Sequence, residues 1–343
     1  VTIEIEPRSV GRLLIVCLDN LGDLVFTSSL APPLHAHFPD ARITLWCKEY
    51  AADVAALVPA VDEVVACDPF WDRAPGRAKG SFVRFTRVVR ALRRERFDLA
   101  VLTSPQWRAA AAVRFTGARV RIGQERHRNR RFLTHTLPAA DSGLPVLVDH
   151  AHLLAALGVP HEPLRYALDV QRIENERVRI RSAIGAPFVA LHAFASDRQR
   201  CVRLAEWITV ARELESRGST IVWVGSRSEL DEVRSTAEVS KRACFSGEFT
   251  DGTLRETTAL LSCAQLFVGH DSGPLHVANA CAVPVVGIFA PGQPRRTFPQ
   301  GTAPSRVLFA ASPAEIDAAA MLAEIDALGS RKPRPAPRNP LDS

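Results

Sequence analysis

The chain has 343 residues, enough for about two domains of ~150 residues each, and a composition of 47% hydrophobic and 23% charged residues describes a globular protein with a sizeable core. No apolar run approaches the ~20 residues that a membrane-crossing helix needs. The acid-containing start "VTIEIEPRSV" does not read as a signal peptide, so a cytoplasmic protein is expected. The net charge is +6, and four Lys (Lys48, Lys79, Lys241, Lys332) stand among 43 basic residues, so the excess is Arg. Such a balance suits solvated arginines plus a pocket for an anionic small molecule better than it suits nucleic acid, and no specific nucleic-acid partner is expected. Only the cluster at residues 114–131, with "RHRNRR", keeps a polyanionic partner open. The seven Cys form no CxxC pair and suggest no zinc site, and their odd count argues against a disulfide framework.

Along the chain, "RLLIVCL" (residues 12–18) predicts a strand, "DNLGD" a polar turn, and the pattern from Leu24 a helix. Residues 41–47 and 61–67 predict strands, and residues 82–97 an amphipathic helix with an Arg-rich outer face. Strands follow at 97–103 and 118–123, and a helix at 148–158. The Pro- and charge-rich stretch from Pro160 reads as a linker. The alternation then restarts: strands at 187–194, 220–226, 242–247, "LFVGH" and "VPVVGIFA" are separated by helical patterns. A last helix covers 313–328, and the Pro-rich end is expected to be disordered. Strand and helix alternating twice predicts α/β architecture: two Rossmann-like, doubly wound domains facing across a cleft. The expected boundaries are 1–163, 164–330 and a tail at 331–343.

Two polar knots fall at the carboxyl ends of predicted strands, where such sheets bind ligands. In the second, Asp271 or Ser272 can cap the following helix, and Pro274 is tolerated in its first turn. Gly273 lets backbone approach a ligand. The first-turn N–H groups and the helix dipole favour an anion there, and His276 can donate to a phosphate oxygen. An ordinary capped helix with a half-buried His fits the spacing equally well. In the first knot, Asp23 follows Gly22 at a helix start. It is either a dipole-matching first-turn acid or a carboxylate that takes a proton from an acceptor hydroxyl. Neither knot is GxGxxG or a Walker loop.

Residues 12–47, with "DNLGD" and "FPDA", paired with "VGHDSGPLHVANACAVPVVGIFAPGQPRR", resemble the family 9 glycosyltransferases, the lipopolysaccharide heptosyltransferases and their relatives. The resemblance implies a GT-B fold in which the N-terminal domain receives the acceptor and the C-terminal domain holds a nucleotide-diphosphate sugar, usually ADP-heptose. It implies an inverting transfer with Asp23 as catalytic base, supported by the Asn20 and Gly22 loop. The diphosphate loop falls on Asp271, Ser272, Gly273, Pro274 and His276. The family's hydroxyl falls on Ser196, its Lys position on Arg200, its Trp on Trp207, and its ribose-binding carboxylate on Glu229 after Gly225. There are departures. "APP" (residues 31–33) sits late enough to kink the first helix. "FAPGQP" alters the loop after the last core strand, with Gln293 in place of an acid. No metal or other cofactor is required if helix, His276 and Arg200 carry the leaving diphosphate. The acceptor is a core saccharide or a natural product, and a peripheral contact with an anionic inner-membrane face suits the basic N-terminal half. The rival readings are a sugar-nucleotide 2-epimerase of the same fold and a non-catalytic nucleotide- or polyanion-binding module.

Overall fold

The structure, a computed structural model, describes residues 3–72, 80–138, 143–195, 197–292 and 294–329. Ser196, Gln293 and the tail expected at 331–343 lie outside the described residues. The chain divides into two compact units, Val1–Leu168 and Asp169–Ser343. The division falls after Leu168, where the sequence reading placed it after residue 163. The reason is local: Tyr166 meets Phe26 edge-on, with ring centroids 5.3 Å apart, and the Ala167 N–H donates to Ser28 Oγ at 3.3 Å.

The first unit runs β1 (Arg12–Cys17), α1 (Leu21–Thr27), α2 (Ala31–His37), β2 (Arg42–Cys47), α3 (Ala52–Ala55), β3 (Glu63–Ala66), α4 (Phe82–Arg94), β4 (Leu99–Leu102), α5 (Trp107–Thr116), β5 (Val120–Gln124), β6 (His135–Leu137) and α6 (Val146–Ala156). Its sheet is parallel, in the order β3-β2-β1-β4-β5-β6. Helices cover both faces of such a sheet, so β1, β2 and β4 are continuous apolar runs, buried after their first residue or throughout.

The second unit runs α7 (Glu174–Ile184), β7 (Phe188–His192), α8 (Leu204–Ser216), β8 (Thr220–Trp223), α9 (Arg227–Arg234), β9 (Cys244–Phe245), α10 (Leu254–Ser262), β10 (Leu266–His270), α11 (Gly273–Ala280), β11 (Val285–Phe289), α12 (Pro294–Thr297), β12 (Ser305–Phe309) and α13 (Ala318–Gly329). Its parallel sheet has the order β12-β11-β10-β7-β8-β9, the topology of the first unit repeated. In each sheet the order reverses between the first and fourth strands of the unit. These are β1 and β4 in one and β7 and β10 in the other. A reversal leaves a crevice at the strands' carboxyl ends, because the two following connections depart to opposite faces.

The expected kink in the first helix is a full break. α1 ends at Thr27, and Pro32 and Pro33 open α2, where a missing N–H costs nothing. The stretch read as holding the linker, residues 160–176, ends within the first turn of α7, and α5, β6 and β12 fall where no element was expected. All seven cysteines are free, and burial pushes the Cys47 thiol up to about 12, as expected of small buried hydrophobes.

One tight contact ties the loop before β12 to α11. The Gly301 N–H donates to Asn279 Oδ1 at 2.6 Å, and a Cβ on Gly301 would lie 2.3 Å from the Asn279 carbonyl oxygen. Helix backbone cannot retreat from such a clash. Gly301→Ala is expected to cost roughly 1–3 kcal/mol, read as a lower denaturant midpoint. An unchanged midpoint would show that the loop gives way instead.

Candidate active site

The second knot occupies the reversal point of the second sheet. Asp271 is the first residue after β10, and its N–H donates to the Ile288 carbonyl at 2.9 Å, which fixes the corner against β11. Its carboxylate is a hub. Arg200 Nη2 donates to Asp271 Oδ2 at 2.8 Å, and Arg200 Nε donates to the Pro291 carbonyl at 2.9 Å. His276 Nε2 lies 3.5 Å from Asp271 Oδ1. Thr297 Oγ1 reaches the same carboxylate at 3.4 Å. Burial alone would raise the Asp271 pKa. The His276 hydrogen bond and charge, then the Arg200 guanidinium, outweigh that and hold the carboxyl below its ordinary value. Arg200 keeps 30% of its side chain exposed, so a guanidinium with five N–H donors still presents donors to a ligand while two are committed.

Ser272 stands at the N-cap of α11, yet no side chain caps this helix. The Ser272 hydroxyl instead donates to the His270 carbonyl at 3.1 Å and lies 3.4 Å from His192 Nδ1. The capping role expected of Asp271 or Ser272 is therefore not what their side chains do. The carboxylate is taken up by Arg200 and His276, and the hydroxyl by two histidine residues. No side chain caps the first turn; Pro274 has no N–H and the Leu275 N–H donates to the Ser272 carbonyl at 3.2 Å, which leaves the Gly273 N–H and the helix dipole to favour an anion at this start. His276 is only 3% exposed. Its Nε2 faces the Asp271 carboxylate that pairs with Arg200, so it helps to orient that carboxylate.

Two further histidines sit beneath this corner. His192 ends β7 and His270 ends β10, both buried. Burial, opposed by Glu229, lowers the His192 pKa to about 4, and burial followed by the neighbouring His192 lowers that of His270 to about 3. Both are neutral at physiological pH. The Val202 N–H donates to His270 Nε2 at 3.2 Å, and Trp207 meets the His270 ring with centroids 5.3 Å apart. Trp207 is thus a buried wall behind the site. Glu229 forms a capping box at the start of α9: its Oε2 accepts from the Ser226 N–H at 2.7 Å and the Ser226 hydroxyl at 2.8 Å. A Cβ on Gly225 would lie 3.1 Å from that oxygen, so a glycine suits this turn.

The first knot occupies the reversal point of the first sheet. Asn20 caps α1, and its N–H donates to Asp23 Oδ2 at 3.0 Å across a capping box. Asp23 is exposed at the strand's carboxyl end, and Gly22 lies beside it on the same turn. Thr27 Oγ1 is 3.2 Å from Thr103 Oγ1 beyond β4. Asp19 was not singled out from sequence. Its Oδ1 accepts from Gln106 Nε2 at 2.9 Å, and burial raises its pKa despite hydrogen bonds from Ser104 and Gln106 and the nearby Lys48. Lys48 is itself buried and paired with Asp72 at 2.6 Å.

Residues 85–316 match the family described as "Glycosyltransferase family 9 (heptosyltransferase)". The chain belongs to glycosyltransferase family 9. This family 9 enzyme is 25% identical over 280 residues to "Lipopolysaccharide heptosyltransferase 3" of Escherichia coli, covering 78% of this chain and 80% of that protein. Its fold is shared with "the glycosyl transferase family 9 from Veillonella parvula DSM 2008", at TM-score 0.80 and 18% identity, covering 93% and 97% of the two chains. It is also shared with "E. coli heptosyltransferase WaaC with ADP-2-deoxy-2-fluoro heptose", at TM-score 0.74 and 17% identity, covering 92% and 99%. The fold is α/β of the GT-B type, and the protein is a glycosyltransferase.

In this glycosyltransferase the second unit brings Arg200, Asp271, Ser272, Gly273, Pro274 and His276 together at one corner. Asn20, Gly22 and Asp23 share one turn in the first unit. Sequence reasoning missed Thr297, His192 and His270 in the second unit and Asp19, Lys48 and Gln106 in the first. His192 and His270 carried a readable signal, a polar residue closing each of two buried strands. Among the described residues no helix is long and apolar enough to cross a membrane.

Proposed function

We propose that this glycosyltransferase moves a heptose from an ADP-linked donor to a hydroxyl of an anionic core saccharide, with inversion at the sugar carbon. The observation that carries the donor half is the uncapped start of α11 beside the Arg200–Asp271 pair, at the reversal point of the second sheet. Departure of a nucleoside diphosphate places negative charge on phosphate oxygens, and a preorganised guanidinium and helix start answer that charge without reorganising. Glu229, with Oε2 committed to Ser226, offers its other oxygen to a ribose hydroxyl. Asp23 accepts the proton of the attacking hydroxyl. The relatives' names, lipopolysaccharide heptosyltransferases, and a neighbour solved with an ADP-heptose analogue support the choice of sugar and base.

Calorimetry with ADP, UDP and ADP-heptose tests the donor class; tighter binding of UDP than of ADP would overturn it. Incubating donor with and without a lipopolysaccharide core acceptor tests the reaction. New glycoside should appear only with acceptor, while conversion of donor alone would favour epimerisation. Because protein groups meet the leaving charge in this scheme, a chelator is expected to leave turnover unchanged. Arg200→Ala is expected to slow transfer by about 100-fold, the typical loss of one charge-stabilising donor. Arg200→Lys should recover only part of it, since an ammonium cannot hold Asp271, Pro291 and a phosphate in one plane. Full activity in Arg200→Ala would remove the guanidinium from the mechanism.

A further inference from the structure

A cavity of about 230 Å³ opens in the first unit beyond the ends of β4 and β5, lined by Pro105, Gln106, Trp107, Arg108 and Arg126. Pockets for drug-sized molecules begin at ~300 Å³, so this one has room for a single small ring. Its two walls are locked together by a buried side chain. Asn129 Nδ2 donates to the Gln124 carbonyl at 2.7 Å and to the Pro105 carbonyl at 3.4 Å, and Asn129 Oδ1 accepts the Arg126 N–H at 2.9 Å. Trp107 stacks on Phe132 with ring centroids 6.3 Å apart, and the Arg108 guanidinium lies 5.1 Å from the centre of the Trp107 ring. The cavity is therefore preformed, and a cation–π contact limits where the Arg108 charge can go.

The surroundings of this cavity carry opposite charges. Arg108 and Arg126 are exposed, and among the described residues neither forms an ion pair. Glu125, beside Arg126 in the chain, is taken by Arg130 at 3.6 Å and by the Thr136 hydroxyl at 3.1 Å. From the cavity wall, Gln106 Nε2 donates to Asp19 Oδ1 at 2.9 Å. Ser104 supports the same carboxylate by a hydrogen bond, and Lys48 lies near it. Asp19 precedes Asn20, which shares the start of α1 with Asp23. A neutral sugar would leave both guanidinium groups unanswered, and a bare anion would be repelled by Asp19. A ring carrying an acidic group and free hydroxyls answers both, since guanidinium forks fit carboxylate and phosphate oxygens while a carboxylate accepts from hydroxyls.

The geometry points to this cavity as the seat of one acidic sugar of the acceptor, its carboxylate or phosphate on Arg108 and Arg126, a hydroxyl on Asp19, and Trp107 positioning Arg108. This rests on the reading that the first unit receives the acceptor at Asp23, and adds the group by which the acceptor is chosen. The test titrates the full chain, without donor, in a calorimeter with mannose 6-phosphate, glucuronic acid, methyl mannoside and inorganic phosphate. Acidic sugar is expected to bind, and whichever of the two binds more tightly names the acidic group. Methyl mannoside and phosphate each answer one side alone and should bind at least about tenfold more weakly. Arg108→Ala and Arg126→Ala should each weaken acidic-sugar binding by about tenfold or more, as loss of a charge-assisted hydrogen bond does. Arg108→Gln and Arg126→Gln take their place should either alanine variant fold poorly by circular dichroism. Trp107→Ala should weaken binding, Trp107→Phe should restore most of it, and Trp107→Ala should add nothing in an Arg108→Ala background, a pattern that a merely structural role does not produce. Arg87→Ala with Arg114→Ala removes two exposed arginines outside the cavity lining and should leave binding unchanged. In the transfer assay the cavity variants should raise the acceptor KM and leave the donor KM unchanged. No binding of either acidic sugar at about 20 mM, equally tight binding of methyl mannoside, unaltered binding in both arginine variants of the cavity, or equal loss in the Arg87 and Arg114 control would each overturn the inference. Binding needs no turnover, so failure of the transfer reading would leave the calorimetric result standing. Failure of the cavity alone would leave turnover dependent on Asp23 and indifferent to Arg108 and Arg126.

Discussion

Asp23→Asn is expected to reduce turnover by about 10²–10⁴-fold, the range a positioned general base supplies, while binding of ADP changes by no more than about twofold. The substitution separates chemistry from structure. Asp23 also accepts the Asn20 N–H at 3.0 Å, and an amide oxygen at the same place can keep that bond. The capping box and the start of α1 should survive, so lost activity would report the lost proton acceptor. Asp23→Ala removes both functions and is expected to lower stability by about 1 kcal/mol as well. The rival is Asp19, four residues earlier, held by Gln106 and with a pKa raised chiefly by burial. If Asp23→Asn kept near-full turnover while Asp19→Asn abolished it, the base would be Asp19 and the exposed carboxylate of Asp23 a helix cap. A pH profile adds a second discriminator. A base with a raised pKa loses activity at a higher pH on the acid side than an ordinary carboxylate does.

The parts of this protein that were legible in the sequence share a physical origin. The strands at the centre of each sheet are buried on both faces, so they appear as apolar runs whatever surrounds them. The Asp-Ser-Gly-Pro and Gly-Asp corners appear because a helix start beside a strand end tolerates few residue types. What stayed hidden depends on distant partners. α7 has a single buried residue, Ile180, and few apolar positions to show a stripe. It is held to α10 by ion pairs, Glu176 with Arg255 at 2.6 Å and Arg179 with Glu256. No local pattern announces partners some eighty positions away. β12 lies at a sheet edge and is only half-buried, so its alternation is weak. α5 is built from alanines with Trp107 and Phe115 exposed, which blurs its helical period. In the site itself, Arg200 was placed by family spacing. Its bond to Asp271, 71 positions on, is a property of the folded second sheet.

The second large effect concerns acid. Stability of the second unit is expected to fall steadily as pH drops from about 6.5 toward 4, a decline that begins well above the range in which carboxylates ordinarily titrate. His192 and His270 are the cause. In the unfolded chain each takes up a proton near its ordinary value of 6.5, whereas in the folded unit burial delays uptake to about 4 and about 3. Within that window the unfolded state binds more protons than the folded one, so protonation favours unfolding and stability rises with pH. The two sites together are worth on the order of several kcal/mol, a large part of a domain's whole margin. Asp271 acts in the same direction at lower pH. Its folded pKa is depressed, so the stability it contributes is present above its ordinary value of 3.8 and is lost as pH falls through the folded one. The two windows overlap only below 3.8, so of these groups the imidazoles alone act between pH 6.5 and 4. Trp207, against the His270 ring, and Trp223 are buried in this unit, so with Trp46, Trp71 and Trp107 of the first unit replaced by Phe their fluorescence follows its unfolding by denaturant at a series of pH values. His192→Asn combined with His270→Asn should flatten the slope between pH 6.5 and 4, at some cost in stability at neutral pH, and leave in place the part of the fall below 4 that Asp271 causes. A flat profile in the natural chain, or an unchanged slope in the double variant, would show that both imidazoles reach water and protons more freely than their burial implies.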